Sequence, residues 1–126
     1  MAEPRYLLDT NICIYILADT GPAVRRLASE LEGSVVTSSI AFAEIELGLR
    51  NADAIARAAA DALFSAVAVA PFDQAAARVY ATLPFKRGRY DRLIAAHALS
   101  LGLTLVTNNE SDFAGLPGLE IENWTQ

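Results

Sequence analysis

The chain has 126 residues and a formal net charge of −5, with 53% hydrophobic and 20% charged residues. Such a length fits one domain, expected to span residues 1–126 and able to bury roughly two-thirds of its unfolded surface, and the composition excludes a disordered chain. The acidic balance excludes a protein that coats nucleic acid through bulk electrostatics, while one cysteine, Cys13, excludes an internal disulfide and suits a reducing, cytoplasmic setting.

Taken in chain order, the first five residues show no basic run leading into a long apolar core, so no signal peptide is expected. Tyr6-Leu7-Leu8 reads as a strand, bounded by the helix-capping types Asp9, Thr10 and Asn11, with a helix through residues 12–17. Gly21-Pro22 restarts the chain. Residues 23–31 form a second helix, with Val24, Leu27, Ala28 and Leu31 at helical spacing and Gly33 beyond its end. Residues 34–37 are a strand. Ser38-Ser39 can cap a helix with Ile40, Ala43 and Leu47 on its core side. The alanine-rich stretch 52–66 is helical, 67–70 is a strand ended by Pro71, and Asp73 caps a helix running to about Leu83. Asp91 opens a very apolar helix, 92–101, closed by Gly102. Strands follow at 103–106 and 119–121. No run reaches the length of a membrane span.

Short apolar strands alternating with helices predict an α/β fold. Its parallel sheet of about five strands is flanked by helices on both faces. In such folds function gathers at the carboxyl ends of the strands. That rule directs attention to Asp9, to residues 38–46 and to residues 107–112.

Asp9, Glu44, Asp91 and Asp112 fall at strand exits or helix starts on what should be one rim. Each alone has a plain reading: a cap for Asp9 or Asp91, a surface position for Glu44, a loop acid for Asp112. Their convergence is what points to chemistry. Two like charges about 4 Å apart repel by about 4 kcal/mol at an effective dielectric of roughly 20, so such a cluster must take up protons or bind a cation. All-oxygen ligands favour Mg²⁺ or Mn²⁺, which activates water and stabilises a phosphate oxyanion, the minimal equipment for phosphodiester hydrolysis. Thr10, Asn11, Ser39, Thr107 and Asn109 are candidates to orient the acids and waters. Glu46 points away from Glu44 and is expected in solvent.

Other chemistries lack their parts. His97, the one histidine, is embedded in an apolar helix and reads as a core residue with a satisfied ring; Cys13 reads as a small core residue. There is no Gly-rich phosphate loop, and too few His or Cys for a zinc site. Lys86, Arg87, Arg89 and Arg92 are four of ten cationic residues within seven positions, leading into Asp91; this is a candidate RNA-phosphate-contacting patch.

Five segments together resemble one known family. These are Leu7-Leu8-Asp9-Thr10-Asn11; Ser38-Ser39 with Ala43-Glu44; Tyr90-Asp91-Arg92-Leu93-Ile94-Ala95-Ala96-His97-Ala98; Leu105-Val106-Thr107-Asn108-Asn109 with Asp112-Phe113; and Pro117-Gly118-Leu119-Glu120-Ile121-Glu122-Asn123-Trp124. In order and spacing they resemble PIN-domain toxins of the VapC type. The resemblance implies a PIN fold and Mg²⁺- or Mn²⁺-dependent endoribonuclease activity in a bacterial toxin–antitoxin pair. Its acids map onto Asp9, Glu44 and Asp91, with Asp9 and Asp91 the leading metal ligands. It further implies a VapB-type antitoxin as partner, a homodimer, and contact with DNA only through the antitoxin. The sequence departs from the family pattern at Asn109, where many PIN nucleases carry Asp; Asp112 is the neighbouring acid that would supply the charge. The short basic stretch before Asp91 is a second departure.

Two other readings compete. A non-catalytic PIN-fold module that holds a protein partner would not require three acids at converging positions. A phosphotransfer receiver domain would want adjacent acids after the first strand and a lysine after a late one, whereas Asp-Thr-Asn follows here and the sole lysine, Lys86, precedes a helix.

Overall fold

The computed structural model describes residues 2–18, 21–84 and 89–126. Five strands, β1 (Tyr6–Leu8), β2 (Val35–Ser38), β3 (Ala68–Ala70), β4 (Thr104–Val106) and β5 (Ile121–Glu122), form one sheet in the order β3-β2-β1-β4-β5. All four pairings are parallel. The helices are α1 (Thr10–Leu17), α2 (Gly21–Ser29), α3 (Ser39–Gly48), α4 (Ala54–Ala66), α5 (Gln74–Thr82) and α6 (Tyr90–Leu101), and a 3₁₀ turn covers Glu110–Asp112.

Residues of the central strand alternate between two cores, which is why the strand reads as continuously apolar. Tyr6 and Leu8 pack with Ile12, Cys13, Ile45 and Leu63 on one face. Leu7 packs with Ala41, Ile94, Ala95, Ala98 and Phe113 on the other. The last strand is held by Trp124, 2% exposed, which meets Tyr6 edge-on at 5.3 Å. The Arg26 guanidinium lies 4.8 Å from the Trp124 ring and pairs with Glu30 at 2.8 Å and Glu122 at 3.0 Å.

Caps act where expected at Asp53 and Asp73, whose carboxylates accept from the amides of Ala56 and Ala76. Several expectations are corrected. In α3 the buried residues are Ala41 and Ile45; Ala43 is exposed and Leu47 is 59% exposed, because the face toward both cores lies a third of a turn from the expected stripe. Glu46 is ion-paired with Arg57 of α4, both its oxygens 2.9 Å from Nη1. Helix α2 stops at Ser29, leaving Leu31 71% exposed. The fifth strand lies at Ile121–Glu122, displaced by the tight turn at Gly118, whose φ is 79°. Asp91 lies inside the first turn of α6 rather than at its cap; Arg89 occupies the cap position and makes no side-chain capping bond.

Helix α6 ends as expected at Gly102, with φ 68°. A Cβ there would meet nothing within 4 Å, so only the backbone would resist substitution. Gly102→Ala is therefore expected to cost about 1–2 kcal/mol, the left-handed penalty alone. Denaturant unfolding checks this; an unchanged midpoint would show that the turn relaxes freely.

Candidate active site

Leu8 of β1 is in register with Thr37 of β2 on one side and Val106 of β4 on the other. The next residues, Asp9, Ser38 and Thr107, thus stand side by side at the carboxyl end of the sheet, Ser38 as the last residue of β2. Beyond β1 the chain builds outward through β2 and β3, then returns to build β4 and β5 on the opposite side, so Asp9 sits at the strand-order reversal. At such a point flanking connections diverge and open a crevice.

That crevice is a cavity of about 610 Å³. Asp9, Thr10, Asn11, Glu44 and Asp91 supply its polar wall, from β1, α1, α3 and α6. Arg89, Tyr90, Leu93 and Ile94, all in or just before α6, supply the rest of its lining. The volume lies within the roughly 300–1,000 Å³ usual for ligand sites. Tyr90, Leu93 and Ile94 did not stand out from the sequence; Tyr90 is 62% exposed, an aromatic ring open to the cavity mouth.

Asp9 is 5% exposed and caps α1, its Oδ1 accepting from the Ile12 amide at 2.9 Å. Burial pushes its pKa from 3.8 up to about 6; hydrogen bonds from the Thr107 side chain and the Ile12 amide pull it down, and the charges of Asp91 and Glu44 add to the rise. Thr10 donates its hydroxyl to Glu44 Oε1 at 2.6 Å, fixing the acid from the neighbouring helix. Asp91 accepts from the Arg92 amide at 2.9 Å.

Other sequence candidates lie elsewhere. Ser39 accepts from the Phe72 amide at 2.9 Å and is absent from the cavity wall. Thr107 is fully buried beneath Asp9 and accepts from the Asn109 amide at 3.0 Å. Asn109 donates to Asp112 at 2.7 Å, and this exposed pair also stands outside the wall. Of the basic patch, Arg89 lines the cavity and Arg92 is half-buried beside it; Lys86 and Arg87 fall outside the described residues. Cys13 is fully buried, its thiol pushed up to about 12 by burial, which leaves it inert as a nucleophile. His97 is buried, but its Nε2 lacks a hydrogen-bond partner among the described residues, against the expectation of a satisfied ring.

The donor set is all-oxygen and anionic, the chemistry that Mg²⁺ and Mn²⁺ prefer. Among the described residues, no three of His, Cys, Asp or Glu are drawn together tightly enough to enclose a metal ion by themselves. A cation placed among these acids would need further oxygen ligands from outside the protein.

Three comparisons place this geometry among known proteins. Residues 6–119 match the PIN domain family. The chain is 33% identical to a tRNA(fMet)-specific endonuclease VapC of Shigella flexneri, covering 96% of this chain and 98% of the relative. It is 30% identical to Ribonuclease VapC2 of Rickettsia felis, covering 94% and 97%. Among solved structures it resembles VapBC2 from Rickettsia felis bound to a promoter DNA fragment, with TM-score 0.83, 29% identity, and 94% and 98% coverage. DNA-bound VapBC from Salmonella typhimurium matches at TM-score 0.83, 31% identity, and 96% and 98% coverage.

The raised Asp9 pKa carries a prediction for the metal-free protein. Between about pH 4 and 6 the folded state binds more protons at Asp9 than the unfolded state, so this group adds stability as pH falls. The contribution is complete below the unfolded value and gone above about pH 6; a shift of this size corresponds to about 3 kcal/mol. Asn also caps helices, so Asp9→Asn isolates the charge. Wild type should gain about 2.4 kcal/mol relative to Asp9→Asn between pH 7 and pH 4 in urea unfolding. Parallel pH profiles for the two would mean that Asp9 is not strained by its surroundings.

Proposed function

The chain belongs to the PIN-domain family and to its VapC-type members, and from that premise we propose that it is the toxin of a type II toxin–antitoxin pair, a divalent-metal-dependent endoribonuclease. The observation that carries the reading is the convergence of Asp9, Glu44 and Asp91 on one cavity at the carboxyl end of the sheet. Nothing in the packing requires three acids there, and their mutual repulsion opposes it.

Asp9 and Asp91 would hold the cation, with Glu44 as the third acid. A divalent ion so held would polarise a bound water and supply a counter-charge for the phosphate oxyanion. Thr10 fixes the rotamer of Glu44. Thr107 and the Ile12 amide fix that of Asp9. Arg89, lining the same cavity two residues before Asp91, could pair with a phosphate of the incoming strand. The overall charge of −5 leaves this local cation, with its neighbours in sequence, as the means of attracting a polyanion.

The solved relatives named VapBC are complexes, two of them on DNA. For this chain we infer a VapB-type antitoxin as inhibitor, with DNA reached through that partner, and a homodimer as the toxin's own assembly. The acid wall invites an arginine from the partner, because a planar, permanently charged fork can pair two carboxylate oxygens. The apolar wall of Leu93 and Ile94 invites apolar side chains from the same segment.

RNA cleavage by purified protein tests the reading, with transfer RNA tried first because two relatives are named for it. Chelation should stop cleavage, and Mg²⁺ or Mn²⁺ should restore it. Asp9→Asn and Asp91→Asn should each lose more than the roughly 10–100-fold that loss of a supporting partner costs, with the fold retained by circular dichroism. Full cleavage in excess EDTA would remove the metal from the mechanism. No cleavage under any condition, with antitoxin still bound, would favour the non-catalytic binding module.

Arg89→Ala should weaken RNA binding more than it slows the chemical step. It should also reduce the slope of log affinity against log salt by about 0.7 for a single-stranded substrate. An unchanged slope would show Arg89 to be a bystander at the cavity rim.

A further inference from the structure

His97 lies in the buried middle of α6, 1% exposed, with Phe72 packed edge-on at 5.4 Å. Its Nδ1 is 2.8 Å from Ser38 Oγ. Ser38 is itself fully buried, and its oxygen accepts from the Ile40 amide at 3.1 Å, the bond that caps α3. The hydroxyl has one proton and no other acceptor among the described residues, so Ser38 donates to Nδ1 and the ring hydrogen rests on Nε2. There it meets no acceptor at full hydrogen-bond geometry among the described residues, and the Pro71 backbone offers only a weak contact. Burial lowers the pKa of the ring against weaker opposing pulls from Asp73 and the Pro71 backbone, which keeps the acceptor form at Nδ1 available near neutrality.

Packing alone does not account for histidine at this position. A leucine or phenylalanine would fill the space without leaving a buried N–H poorly paired. What the ring adds is a directional bond between two helices that otherwise share only an apolar core, to which α3 contributes Ile40 and Ala41 and α6 contributes Ile94, Ala95 and Ala98. Apolar contacts are non-directional, so a hydrogen bond is what fixes one helix's position against the other.

We propose that His97 is a positioning residue, which through Ser38 holds the helix bearing Glu44 in register with the helix bearing Asp91. Glu44 lies six residues after Ser38 in α3, and Asp91 lies six residues before His97 in α6. Each acid is thus about 9 Å of helix from the anchor, close enough that a rigid helix transmits the constraint. Ser38 is also the neighbour of Asp9 across the sheet register, so the one bond references all three carboxylates to a common point. The consequence for cation binding rests on the nuclease reading above.

The test is Mn²⁺ affinity, measured by calorimetry on wild type, His97→Asn, His97→Leu and His97→Phe, with each fold and melting temperature checked without metal. Asn can present its side-chain oxygen where Nδ1 stands and accept the Ser38 proton, so it should keep affinity within about twofold of wild type. His97→Leu should remain folded yet bind Mn²⁺ about tenfold more weakly, as loss of an outer supporting partner commonly does. RNA cleavage by that variant should recover at saturating Mn²⁺, with KM for RNA unchanged. If His97→Leu does not fold, His97→Phe keeps a ring in the space, removes the same bond, leaves the Ser38 cap of α3 intact and should show the tenfold loss. Wild-type affinity in folded His97→Leu or in His97→Phe, or equal losses in the Leu and Asn variants, would overturn the proposal. A wild-type protein that takes up no Mn²⁺ would overturn the metal-dependent reading and this inference with it.

Discussion

Asp9 carries two obligations that pull its protonation in opposite directions. As the cap of α1 it accepts a backbone N–H, and a helix N-terminus favours a negative charge. As a buried acid facing Glu44 and Asp91 it is driven to hold its proton. Asparagine or serine would cap the helix as well and escape the repulsion. Capping therefore accounts for a polar oxygen at this position but not for a carboxylate. The excess charge is useful only to something that brings positive charge, and the surrounding structure is arranged to hold Asp9 in place despite that cost. The Thr107 hydroxyl below it, the Ile12 amide beside it and the parallel register on both sides are the supports.

The register is what makes convergence cheap in chain length. Three adjacent parallel strands end at one level, so Asp9, Ser38 and Thr107 need no loop to bring them together. Glu44 and Asp91 then arrive on helices, where a side chain is located more precisely than on a loop. Small residues allow this. Ala95, Ala96 and Ala98 occupy the buried part of α6, letting the helix lie close to the sheet while its first turn projects Asp91 into the crevice.

Much of this was legible in the sequence, and the failures have physical causes. Strands and caps were readable because their signals are local: a three-residue apolar run, an Asp before an alanine-rich helix, a Gly with positive φ. Asp9 was readable from its place at a strand exit, Asp91 from its place at a helix start, and Glu44 from the helix that follows a strand. Side-chain orientation within α3 was not, because that helix touches two cores, and a single periodic stripe cannot describe two buried faces. Ser38 caps α3 as the Ser38-Ser39 pair suggested, but Ser39, expected to orient acids and waters, instead receives the Phe72 amide from the connection after β3. That contact spans 33 residues and leaves no local trace. The link between His97 and Ser38 spans 59 residues, and a lone histidine in an apolar helix gives no hint of its partner.

The cavity lining has two chemical characters, and this constrains what can enter it. Three acids supply one; a guanidinium, an aromatic ring and two aliphatic side chains, carried with Asp91 by the start of α6, supply the other. A nucleotide matches both once a cation screens the acids, since its phosphate suits Arg89 and its base presents a π-face to Tyr90. A peptide carrying arginine next to apolar residues matches both without a metal, because it brings its own charge. On the proposed reading both guests would draw on the same three acids, so a cation-bearing substrate and an arginine-bearing inhibitor would compete for one site. The repulsion that would favour a bound cation is the same repulsion that an inhibitory arginine would relieve.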